Sequence, residues 1–189
     1  MAETRQLFDA TWIGRAINRI AHQIVEQNEG AEGLVAVGLH THGVFLARRI
    51  AATIEDEEGV EVPVGTMDIT LYRDDVGIRS RGPHLPRREG TDIPFDISDR
   101  TVILVDDVLH TGRSIRAALD QLMDLGRPRK IQLAGLIDRG GRELPIRPDY
   151  VGRKVTIGDD ENVRVMLTES DEADVVTVVP REQPGKPQG

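Results

Sequence analysis

Residues 102–114 read VILVDDVLHTGRS. Four apolar residues run into the adjacent carboxylates of Asp106 and Asp107, and a small-residue turn, Thr111-Gly112-Arg113-Ser114, follows. A continuous apolar run of this kind suits a strand buried on both faces of a parallel sheet. In open α/β sheets ligands sit beyond the carboxyl ends of the strands, which is where the two acids fall. Neighbouring carboxylates can accept bonds from adjacent sugar hydroxyls and can order a divalent cation. The turn leads into a predicted helix, whose first N–H groups and dipole attract anions. Thr111 and Ser114 add hydroxyl donors, and Gly112 lets the backbone come close to a phosphate. The string therefore suits a ribose 5-phosphate, with its diol on the acids and its phosphate in the loop. The G-x-x-x-x-G-K-[ST] spacing of a Walker-type loop is absent.

These residues need a frame. Asp9 is a candidate cap for a helix running to about Asn28, with Ile13, Ile17, Ile20 and Ile24 at helical steps. LVAVG (34–38) has the length of a strand, and residues 43–56 carry a second helical pattern. VPVGTMDITLY (62–72) alternates and is β-branched, which predicts a strand. Apolar runs at 101–107 and 131–138 predict two buried strands, with a helix between them from about Gly112 to Leu125. Shorter strands are expected near 150–157, 163–167 and 175–179. Strands alternating with helices imply an α/β fold: a mostly parallel twisted sheet with helices on both faces. A single domain over residues 1–180 is expected, with a disordered tail over 181–189. The aperiodic stretch 73–95 has the length of a lid or binding loop.

Composition narrows the classes. Of 189 residues 39% are apolar, enough for one sizeable core, and the absence of cysteine excludes disulfides, thiolate catalysis and zinc–thiolate sites. No apolar run nears the ~20 residues of a membrane helix, and the first residues lack a signal-peptide core. A soluble cytoplasmic protein with no membrane partner is expected. The net charge of −8 argues against a general nucleic-acid coat. It leaves room for a local basic face, since Arg139, Arg142, Arg147, Arg153 and Lys154 cluster ahead of the acidic run 159–174.

VILVDDVLHTGRS resembles the phosphoribosyl-pyrophosphate motif of type I phosphoribosyltransferases. With RIAHQIVE (19–26), DITLYRDD (68–75) and DRGGRELPIRPDYVG (138–152), the chain resembles the bifunctional pyrimidine operon regulator/uracil phosphoribosyltransferase family over about residues 5–179. The resemblance implies two activities. One is conversion of uracil and phosphoribosyl pyrophosphate (PRPP) to UMP and pyrophosphate with Mg²⁺. The other is binding of the pyr mRNA leader under control of uridine nucleotides, by a homodimer or higher oligomer. It implies a flexible hood at about 68–95, with Arg73 reaching pyrophosphate, and Arg79, Arg81, Arg87 and Arg88 able to steer the anion. By the same resemblance Asp106 and Asp107 hold the ribose and help to place the metal, and Thr111, Gly112, Arg113 and Ser114 hold the 5-phosphate. Thr41 and His42 lie in the pyrophosphate loop. Ile137, Asp138, Arg139 and Val163 line the base, and His22, Arg142, Arg147, Arg153 and Lys154 meet RNA.

Three departures bear on this. GLHTHG (38–43) has His42 where the family usually has Arg, replacing a permanent cation with a titratable one. His110 stands where Tyr is common, and the segment after Gly152 reads Arg153-Lys154-Val155-Thr156 rather than Lys-Asn-Pro-Thr-Ser. A regulator with weak or lost transferase activity, or a transferase for another nucleobase, are the alternatives to the bifunctional reading.

Overall fold

The computed structural model describes residues 4–69 and 90–181. Along them run β1 (Arg5–Phe8), α1 (Ala10–Asn28), β2 (Leu34–Leu39), α2 (His42–Glu58), β3 (Val64–Met67) and β4 (Thr101–Leu109). Then come α3 (Arg113–Leu125), β5 (Lys130–Asp138), β6 (Tyr150–Lys154), β7 (Glu161–Met166) and β8 (Val175–Pro180). The hood arginines Arg73, Arg79, Arg81, Arg87 and Arg88, most of the segment 68–95 and the tail from 182 lie outside the described residues.

Helix α1 starts where the sequence places a cap: the Trp12 N–H donates to Asp9 Oδ1 at 2.8 Å, a bond typically worth about 1 kcal/mol. Its apolar stripe, Ile13, Ile17, Ile20 and Ile24, is buried. The helix closes with Glu29 in the left-handed region and the Gly30 N–H on Val25 O at 3.0 Å, which satisfies carbonyls left over at the last turn.

The main sheet is five-stranded, in the order β3-β2-β4-β5-β6, and all its pairings are parallel. Strand alternation divides its side chains between two cores. Ile103 and Val105 of β4 join α1 and α2 on one face, while Val102 and Leu104 join α3 on the other. A strand with both faces covered must be apolar at every step, which is why 102–105 shows no alternation.

The expected strand at 62–72 is shorter among the described residues, ending at Met67. The strands expected near 163–167 and 175–179 exist as β7 and β8, but they form an antiparallel hairpin outside the main sheet. With β1 they make a separate sheet in the order β1-β8-β7. The four residues of β1 are too few and too exposed to show a period in the sequence. Phe8 at its end stacks on Trp12 of α1 with ring centroids 3.8 Å apart, tying the small sheet to the body.

Gly38 of β2 passes so close to the start of α2 that a Cβ there would collide with the Val44 Cα and the Gly43 carbonyl. Gly38→Ala is expected to destabilise the fold by about 1–3 kcal/mol, the usual cost of overpacking. Gly14, on the exposed side of α1, has nothing within 4 Å of such a Cβ. Gly14→Ala is expected to stabilise by about 0.5–1 kcal/mol. Urea unfolding of both variants checks the contrast.

Candidate active site

From β2 the chain passes through α2 to β3 on one side; from β4 it passes through α3 to β5 on the other. The connections diverge between β2 and β4, and such a reversal opens a crevice at the carboxyl ends of the two strands. Pairing of β2 with β4 stops at Gly38–Val105, whereas β4 stays paired with β5 as far as Leu109–Asp138. From Asp106 onward β4 has lost its neighbour on one side and lines the crevice.

Two cavities occupy it. One, of about 710 Å³, is lined by Asp106, Val108, His110, the loop Thr111–Ser114, Glu143 and Arg181. The other, of about 430 Å³, is lined by His40, Thr41, Asp68, Asp106, Asp107 and Ser114. Asp106, Val108 and Ser114 belong to both, so the acid pair stands between two loops that each precede a helix.

The loop before α3 has a defined geometry. Gly112 has φ of 90°, a conformation that favours glycine, and it sets the first turn of the helix. The Arg113 N–H reaches Thr111 Oγ1 at 3.3 Å. Behind the loop, the turn after β5 acts as a brace. Glu143 N–H donates to the Thr111 carbonyl at 2.9 Å, Arg139 N–H to Leu109 O at 3.0 Å, and Arg142 Nη1 to the His110 carbonyl at 2.5 Å. Arg113 Nε pairs with Glu143 at 2.6 Å.

Across the crevice, His42 opens α2 and lies between two carboxylates. Nδ1 is 3.3 Å from Asp107 Oδ2, and Nε2 is 3.1 Å from Asp171 Oδ2 in the connection between β7 and β8. The bond to Asp107 raises the imidazole pKa most; burial opposes it, and Asp171 adds to the rise. The Leu167 N–H and Ser170 hydroxyl donate to Asp171 and hold its own pKa below the usual carboxylate range, with His42 contributing further. Both carboxylates thus favour the protonated imidazole, against its burial.

The other candidate residues divide into those brought into the crevice and those set elsewhere. Thr41 is exposed at its edge. Ile137 is fully buried in the core and serves to place Asp138 and Arg139. Asp138 accepts from Gly140 N–H at 3.0 Å and pairs with Arg142 at 2.9 Å. Arg139 donates from Nη1 to Asn162 Oδ1 at 2.8 Å, and its Nε is buried without a partner among the described residues. Val163 is half-buried against the core. His22, Arg147, Arg153 and Lys154 are exposed. His22 pairs with Glu57 at 3.1 Å, and Arg153 lies 6.0 Å from the Phe8 ring centre. Arg142 differs from these: its Nε donates to Ile146 O at 2.9 Å, and its remaining bonds fasten the brace described above.

Sequence reasoning missed Asp171, Asn162 and Arg181. They come from the hairpin sheet and carry no local motif; only folding brings them to the crevice. The donor set is compatible with Mg²⁺ held partly by substrate. Asp106 and Asp107 supply neighbouring carboxylates, and among the described residues no group of three His, Cys, Asp or Glu is arranged to hold a metal ion by itself. Magnesium commonly takes one or two carboxylates plus phosphate oxygens and water.

The fold favours protonated His42, so the stability this contributes is full below the unfolded imidazole value and is lost as pH rises through the raised folded value. In metal-free buffer, wild type should exceed His42→Gln most below pH ~6.5 and lose that margin above it. NMR titration should place the His42 imidazole above its ordinary value, and Asp171→Asn should bring it back down.

A phosphoribosyl transferase domain model matches residues 3–172. Proteins named Bifunctional protein PyrR are close relatives. The one from Latilactobacillus sakei is 55% identical, covering 92% of this chain and 97% of its own. The one from Deinococcus radiodurans is 58% identical, covering 87% and 88%. Among solved structures, the hypoxanthine phosphoribosyltransferase of Trypanosoma cruzi superposes with a TM-score of 0.71 at 18% identity, covering 96% of this chain and 98% of its own, and so shares the fold. The braced loop before α3, the acid pair at the strand reversal and these relatives agree: the chain belongs to the phosphoribosyltransferases and, among them, to the bifunctional PyrR proteins.

Proposed function

We propose that the chain transfers ribose 5-phosphate from PRPP to uracil, forming UMP and releasing pyrophosphate, and that it binds the pyr mRNA leader in response to uridine nucleotides. The observation that carries the first half is the acid pair standing at the strand reversal between two loops that each precede a helix. The PyrR relatives support the second half.

In this reading the 5-phosphate sits on Thr111–Ser114 at the start of α3, where hydroxyls and unpaired N–H groups face it. Asp106 and Asp107 accept from the ribose hydroxyls and oppose the positive charge that develops at the anomeric carbon. Pyrophosphate leaves against His40–Gly43, with His42, whose pKa Asp107 and Asp171 raise, as the nearby titratable group. Uracil is held beside Asp138 and Arg139 at the end of β5, with Asn162 and Val163 of β7 on its other side. Asp106 or Asp107, together with substrate oxygens, would hold Mg²⁺, which would supply charge neutralisation for the leaving group. Holding PRPP and base in line supplies much of the remaining acceleration. Arg73, outside the described residues, is part of the same proposal as a contact to pyrophosphate.

The RNA surface is proposed on His22, Arg147, Arg153 and Lys154, with Arg142 as the residue that fixes the intervening turn. Arginine suits both phosphate contacts and stacking on unpaired bases. A homo-oligomer in the cytoplasm completes the reading; no helix of the described residues is long and apolar enough to cross a membrane.

UMP formation from uracil and PRPP with Mg²⁺ tests the enzyme. Asp107→Asn should lower kcat by at least two orders of magnitude, as expected when charge stabilisation in the transition state is removed. His42→Arg should lower the KM for PRPP, because a guanidinium remains charged at every working pH. Turnover of hypoxanthine but not uracil would refute the assignment. For RNA, log affinity should fall steeply with log salt, and Arg153→Ala should flatten that slope by about 1.

A further inference from the structure

The larger of the two crevice cavities has one wall that the reading above leaves without a task. Arg181 follows β8 and lines the cavity together with Thr111–Ser114. Its backbone is anchored at the open end of the β7–β8 hairpin: its N–H donates to the Asp160 carbonyl at 2.7 Å, next to the Glu161–Pro180 pair. Its side chain forms no ion pair among the described residues. The two carboxylates lining this cavity are otherwise engaged. Glu143 is held by Arg113 at 2.6 Å, and Asp106 belongs to the acid pair and accepts the Asp107 N–H at 3.0 Å.

Arg142 is paired with Asp138 at 2.9 Å, whereas Arg139, like Arg181, forms no ion pair among the described residues. Arg139 has its pKa lowered by burial and then by Arg181, with Asp159 opposing. His110 is lowered by burial, then by Arg139 and Arg181; Arg142 pushes the same way and Glu143 the other. Arg181 thus lines the same cavity as the Thr111–Ser114 turn, with Arg139 as a neighbouring cation. Like charges held this close are costly unless a counter-ion joins them.

We propose that Arg181 is a phosphate-binding residue of this pocket, its guanidinium closing on the 5-phosphate that Thr111–Ser114 hold. The inference rests on the proposed substrate and adds a ligand from the far end of the fold. A guanidinium can pair two of its N–H groups with two phosphate oxygens, so geometry as well as charge favours arginine here. Because Arg181 extends the hairpin that also supplies Asn162, a bound nucleotide links that sheet to the α3 loop.

Calorimetric binding of UMP, PRPP and uridine to the full chain, in wild type, Arg181→Ala and Arg181→Lys, tests this. Arg181→Ala should weaken UMP and PRPP on the order of tenfold or more, the loss expected for a charge-assisted pair. Uridine, which lacks the phosphate, should change by less than about twofold, and Arg181→Lys should recover part of the loss. Unchanged UMP and PRPP affinities would overturn the proposal, as would an equal loss for uridine, which would show a structural role. Wild type that binds PRPP but neither UMP nor uridine would refute the uracil reading, and the role of Arg181 would then be decided on PRPP alone. Wild type that binds none of the three would refute both.

Discussion

The site depends on one unequal pairing. β4 runs four residues further along β5 than along β2, from Val105 to Leu109. That overhang is stable because its other edge remains in a parallel ladder, so the acids are held on strand rather than on loop. Two neighbouring carboxylates repel each other, and a flexible segment would let them separate. Here the main chain fixes them: Asp107 N–H and Val108 N–H bond to the preceding side chains at 3.0 and 2.8 Å. The loops before α2 and α3 both inherit their positions from this overhang, one entering from the strand that stopped and one from the strand that continued.

The small antiparallel sheet is the second half of the site. It reaches the crevice through Asp171 on His42, Asn162 on Arg139 and Arg181 on the large cavity. It is also locked to α2 by Arg49, which pairs with Asp174 at 2.5 Å and Glu169 at 2.6 Å. Those partners push the guanidinium pKa still higher, the Asp174 bond most, so this lock stays charged throughout the working range. Within the acidic run 159–174, Glu169 and Asp174 are thus committed to Arg49 and Asp171 to His42, with Arg49 and His42 both on α2.

The parallel core was readable from the chain because burial on both faces leaves continuous apolar runs, as at 102–105 and 133–137. Asp9, Gly112 and the isoleucines of α1 announce caps and faces through local chemistry. Asp106, Asp107 and Thr111–Ser114 were legible because one strand–turn–helix unit supplies them all. What sequence could not show is long-range. The Asp171 contact joins residues 129 positions apart and the Arg139–Asn162 bond 23. Arg142 was misleading in the opposite way, since a guanidinium in a basic cluster gives no sign that its donors are turned inward to a brace.

The Phe8–Trp12 stack has a practical consequence. The chain holds a single tryptophan, and its ring lies face to face with the last residue of β1 at an interplanar angle of 18°. Any loosening of the small sheet from the body would change the solvent and the neighbours of that indole. Intrinsic fluorescence, excited where only tryptophan absorbs, thus becomes a native optical gauge of how tightly the sheet is seated. No label has to be added, and the emitting side chain comes from α1 rather than from the ligand cavities.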